Sequence, residues 1–117
     1  MKISTDVRSG VVIVIPKGNL MGAPETEDFR KVIKEHLDAG ATKFIIDLSN
    51  VKWMNSLGLG ALISAYTSVK NKEGVMVITN VSDKVKSVFM ITQLIKVFQN
   101  FDTVDEAIQS IAPEAAS

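Results

Sequence analysis

Five β-branched residues in a row, Val11-Val12-Ile13-Val14-Ile15, stand between Ser9-Gly10 and Pro16-Lys17-Gly18. A run without polar alternation predicts a short strand covered on both faces, with Met1 to Val7 beside it as an edge strand. Helical spacing follows. Phe29, Val32, Ile33 and Leu37 fall at i, i+3, i+4 and i+8, with Lys31, Lys34, Glu35 and Asp38 on the opposite side. Pro24 suits the first turn of that helix, Glu25, Glu27 and Asp28 suit its positive end, and Gly40 suits its exit near Ala39.

The stretch Lys43 to Leu48 is nearly continuous in apolar residues and predicts a central strand, with Ser49 to Met54 as a connection. Asn55 and Ser56 are both good helix caps, and Leu59, Leu62, Ile63, Tyr66 and Val69 keep helical spacing up to Gly74. Val75 to Thr79 is another short strand. Ser82 can cap a third helix carrying Val85, Val88 and Phe89, and Ile95 to Phe98 has the composition of a last strand. Thr103 and Glu106 form a capping box ahead of Val104, Ala107, Ile108 and Ile111. Alternating strands and helices predict an α/β fold with a mixed, partly parallel sheet of four to five strands and about four helices. With 117 residues, 46% of them apolar, the whole chain is expected to be one domain, its core from about 11 to 111 and a loose tail over 112–117.

Charge and chemistry narrow the functions. Thirteen basic and thirteen acidic side chains cancel, so the electrostatic footprint of a direct nucleic-acid binder is missing. The chain has no cysteine and one histidine, which leaves no ligand set for zinc and no nucleophile paired with a base; neither a catalytic residue, a metal nor a cofactor is expected. His36 reads as a half-buried structural histidine. No apolar run approaches the ~20 residues of a membrane span, and the first nine residues lack a signal-peptide core, so a cytoplasmic protein without membrane insertion is expected. Gly58-Leu59-Gly60 lies where a helix start could meet a phosphate, but the rest of the dinucleotide and P-loop patterns is absent, and close packing of a helix with Ala61 and Ala65 explains the glycines better. Val51, Trp53, Met54 and Leu57 crowd this turn; four apolar residues on a connection raise the prospect of an exposed binding patch.

The segments Phe44-Ile45-Ile46-Asp47-Leu48-Ser49-Asn50-Val51 and Met54-Asn55-Ser56-Leu57-Gly58-Leu59-Gly60-Ala61-Leu62 resemble the signature of the STAS domain. This is the family of bacterial anti-sigma factor antagonists and of the cytoplasmic tails of sulfate transporters. Gly18-Asn19-Leu20 is similar to its early glycine turn, and the order of elements agrees from about Val11 to Ile111. The resemblance implies the STAS fold and a function in binding. The unphosphorylated domain captures an anti-sigma factor that is also a serine kinase, a sigma factor is released, and phosphorylation at the start of the second helix ends the capture. The implied partner-binding residues are Met21, Trp53, Met54, Asn55, Ser56, Leu57, Gly58 and Leu59.

Three positions depart from the family pattern. Leu57 stands where the phosphorylated hydroxyl usually lies, Asn55 replaces an aspartate, and Met21 replaces an aspartate after the early turn. The surface is thereby neutral and apolar, with Met21, Trp53, Met54 and Leu57 expected to form its exposed part. In one version the switch is absent and binding is constitutive; in the other it has moved to Ser56, the phosphorylation candidate, although as a helix cap Ser56 would serve folding first. The rival reading is a stand-alone STAS subunit resting on the ATPase of an ATP-driven lipid transporter. The sequence leaves the oligomeric state open.

Overall fold

The computed structural model of the chain describes residues 2–112. Six strands and four helices follow one another as β1 (Lys2–Arg8), β2 (Val11–Leu20), α1 (Glu25–Asp38), β3 (Lys43–Asp47), β4 (Val51–Met54), α2 (Ser56–Asn71), β5 (Val75–Thr79), α3 (Asp83–Ile91), β6 (Asn100–Phe101) and α4 (Val104–Ile111). A short 3-10 turn, Leu94–Lys96, lies between α3 and β6. The strand order is β1-β2-β3-β5-β6, with β1 antiparallel to β2 and the other neighbours parallel, as the alternation of strands and helices predicts.

Period-two alternation divides the sheet residues between two cores. Val12, Val14, Phe44, Ile46, Met76 and Ile78 face α1, α2 and α3, and meet Phe29, Ile33, Leu62, Val69, Val85 and Phe89. Val11, Ile13, Ile45 and Val77 face α4, through Ala107 and Ile108. Strands β2, β3 and β5 are covered on both sides, which is why their sequences run apolar without a break.

The ends of several elements differ from the sequence expectation. β2 continues through Pro16 to Leu20. Its Val12–Val14 pair with β3 and its Gly18 and Leu20 pair with β4, so Pro16 falls in the gap between two ladders, where a residue without N–H forfeits no bond on that side. The presumed connection Ser49 to Met54 contains β4, which buries Val51 and Met54. The presumed strand Ile95 to Phe98 is turn structure. The Thr92 hydroxyl donates to the Val88 carbonyl at 2.8 Å, Gln93 adopts a left-handed conformation, and the N–H groups of Lys96, Val97 and Phe98 bond three or four residues back. Local bonds thus outcompete a sheet ladder there, and pairing with β5 resumes at Asn100. Ala112, placed in the loose tail, is fully buried against α4's core; 113–117 lie outside the described residues.

Candidate functional site

Two crossings of the chain build one edge of the molecule. β2 ends at Leu20, β4 runs parallel to that end with Leu20 opposite Met54, and α2 starts directly after β4. The Asn55 N–H donates to the Leu20 carbonyl at 3.3 Å. Its side chain then makes three bonds. Oδ1 accepts from the N–H groups of Leu57 at 3.0 Å and Gly58 at 3.1 Å, capping α2, while Nδ2 donates to the Met21 carbonyl at 3.0 Å. One amide therefore ties the loop after β2 to the head of α2.

The cap is Asn55 rather than Ser56. Ser56 is the first helical residue and is exposed, so the capping role expected of its hydroxyl is filled by its neighbour. The helix-start amides that a phosphate would use are occupied at Leu57 and Gly58 by the same Asn55 oxygen, which removes the phosphate-cradle reading of Gly58-Leu59-Gly60. Close approach explains Gly58: a Cβ there would collide with the Leu20 carbonyl oxygen and lie 2.8 Å from Met54 Cγ. It does not explain Gly60, where a Cβ would meet open space.

Of the expected binding residues, Met21, Trp53 and Leu57 stand 49%, 51% and 59% exposed. Ser56 is exposed and Asn55 half-buried beside them. Met54, Gly58 and Leu59 are buried beneath this surface. Met54, expected in the exposed part, is instead turned inward under Leu20 by strand β4, and the first turn of α2 directs Leu59 into the core. Gly22, at φ +143°, gives the loop a bend that side chains resist, and a Cβ on it would lie 3.3 Å from Leu57 Cδ1, so Leu57 rests over the bare glycine backbone. Lys84 of α3 places Nζ 4.3 Å from the Trp53 ring centroid, a cation–π contact that steadies the indole at the surface. Sequence spacing gave no signal for this pairing, because it spans two elements.

The surface is neutral and apolar at its centre, with lysines, Lys84 and Lys52, on the Trp53 side. His36, half-buried in the last turn of α1, belongs to another element and joins no cluster here. Among the described residues no three metal-ligating side chains converge, and no helix of the described residues is long and apolar enough to cross a membrane. The arrangement can offer shape and apolar area to a protein partner.

The STAS domain model matches residues 2–107. The chain belongs to the STAS family. A candidate anti-sigma factor antagonist of Thermotoga neapolitana is 29% identical over 102 residues, covering 86% of this chain and 89% of that protein. The crystal structure of a candidate anti-sigma factor antagonist from Thermotoga maritima superposes with a TM-score of 0.86 at 26% identity, covering 93% of each chain. The Bacillus cell fate determinant SpoIIAA in its phosphorylated form shares the fold at 22% identity, with a TM-score of 0.73 over 94% of this chain and 99% of that one.

Proposed function

We propose that this STAS domain is an anti-sigma factor antagonist, a regulatory module that acts by binding and not by catalysis. It docks an anti-sigma factor with serine kinase activity through Met21, Trp53, Asn55, Ser56 and Leu57, and so releases a sigma factor. The observation that carries this reading is the crown of three large exposed apolar side chains around the head of α2, contributed by the loop after β2, by β4 and by α2 itself. The names of the Thermotoga relatives support the same role.

Leu57 has no hydroxyl, so the domain stays competent to bind at the position where phosphate would usually be placed. A phosphate would add about two negative charges to an apolar contact. Any phosphorylation of this turn falls instead on Ser56, which is exposed and relieved of capping by Asn55. The positive end of α2 would favour the added charge.

Leu57→Asp tests the docking face. An exposed substitution should shift stability by less than about 0.5 kcal/mol. The same carboxylate, buried unpaired in a complex, should cost several kcal/mol, each 1.4 kcal/mol being a tenfold loss of affinity. Affinity capture from the source cells with the parent and the variant as baits, read by mass spectrometry, should recover a kinase-type anti-sigma factor with the parent only. Recovery of a permease and its ATPase would instead select the transporter subunit, and a stable variant that keeps its partner would mean this turn is not the docking face.

A further inference from the structure

From Lys84 to Asn100 the chain carries Lys84, Lys86 and Lys96 and no acidic residue, in a molecule whose acids and bases balance at thirteen each. This stretch comprises most of α3 and the 3-10 turn that packs against it. Its inner side is fixed in the core through Val85, Phe89 and Phe98. Its outer side presents Ile91, Met90 and Val97, which are 82%, 60% and 44% exposed. Lys86 lies one helical turn before Met90 and Lys84 two turns before Ile91, so lysines and apolar side chains share the outer side. The elements packed nearby add charge of the same sign. Lys70 lies 5.6 Å from the Tyr66 ring that meets Phe98 edge-on, and Lys52 neighbours the Trp53 that Lys84 covers. Asp83, at the first position of α3, is the one acid of that helix.

A second copy is a poor occupant, because two such lysine-rich tips repel one another. Protein interfaces are enriched in arginine and depleted in lysine. Both arginines, Arg8 and Arg30, lie on β1 and α1, and every cation here is a lysine. Protruding aliphatic side chains among long, flexible lysines fit a bilayer surface: the apolar groups enter the headgroup boundary, the lysine stems lie along it, and the ammonium groups meet lipid phosphates. We infer that this tip is a peripheral docking site for anionic membrane surfaces. It adjoins the face around Leu57 at Lys84, which covers Trp53, but Lys86, Met90, Ile91, Lys96 and Val97 belong to the tip alone, so substitutions there test it without touching that face.

The test is co-sedimentation of the full chain with vesicles of phosphatidylcholine alone, or of phosphatidylcholine and phosphatidylglycerol in equal parts, at low and high salt. The protein should pellet with the anionic vesicles at low salt, and be released by salt and by Ile91→Asp. Lys86→Glu and Lys96→Glu should each weaken partition at least about fivefold, since one lysine near such a surface contributes ~1 kcal/mol. Thermal melting should show each variant folded, as these positions are exposed. Lack of pelleting with anionic vesicles, equal pelleting with neutral ones, or indifference to the substitutions would overturn the inference. Retention on immobilised polyglutamate without vesicle binding would overturn it too, in favour of an acidic protein.

Discussion

Asn55 is the residue on which the candidate site depends most. Its oxygen holds the first turn of α2 and its nitrogen holds the Met21 carbonyl, so its removal releases a helix end and a loop together. Asn55→Ala should cost about 1–3 kcal/mol, a lost cap plus a lost side-chain bond, in a urea titration. Asn55→Asp should cost less, because a carboxylate still caps and favours the helix dipole, although it turns an oxygen toward the Met21 carbonyl that Nδ2 satisfied. Ser56→Ala should stay within about 0.5 kcal/mol, and a larger loss would return the capping role to the serine. Gly58→Ala should destabilise by about 1–3 kcal/mol or more, since the new methyl meets the Leu20 backbone, which is tied to Asn55 and has nowhere to retreat. At Gly60 the same change should stabilise α2 by up to about 1 kcal/mol, because the site is open and alanine is the better helix former.

Helices were legible in the sequence because each carries both a buried stripe and a start signal. Phe29, Ile33 and Leu37 of α1, Val85 and Phe89 of α3 after the Ser82 cap, and Ala107 and Ile108 of α4 after Thr103 all occupy the places their spacing assigned. Strands were legible where both faces are covered. β4 was not, because four residues with two buried and two exposed leave no periodic trace, and only long-range pairing with β2 makes them a strand. Hence the candidate residues of this turn could be gathered by their sequence neighbourhood, whereas the division between Leu57 outside and Met54 inside required the fold. On the outer side of α1, Lys34 Nζ and Asp38 Oδ2 are 2.8 Å apart, one turn from each other. Their hydrogen bond, with the charge attraction beside it, lowers the Asp38 pKa below its ordinary 3.8 and raises that of Lys34 above 10.5. The depressed carboxyl contributes stability that is complete above its unfolded pKa and lost as the pH falls through the folded one; the raised amine contributes below its unfolded pKa and loses it in strong alkali. Parent and Asp38→Asn should therefore differ by a small constant amount between about pH 5 and 9 and converge in acid, which thermal melts across pH would measure.

At the scale of the whole molecule, β2 serves two neighbourhoods. Its first half is locked between β1 and β3 in the middle of the sheet, and its last three residues pair with β4 alone among the described strands, with Asn50 and Asn55 bonding Gly18 and Leu20 at either end of that short ladder. Opening the short β2–β4 ladder would break no pairing of the β2–β3–β5 centre. Native-state hydrogen exchange should therefore find the amides of Gly18, Leu20 and Asn55 exchanging through local openings, well before those of Val12, Ile45 and Val77, which await global unfolding. Urea should accelerate exchange at the second group strongly and at the first scarcely. Equal protection in both groups would show that the two neighbourhoods open as one. A partner seated on Leu57 and Trp53 would clamp this ladder shut, so its arrival should be legible as slowed exchange along a strand whose main length it never touches. With the proposed docking face, the end of β2 would thereby report occupancy through its backbone.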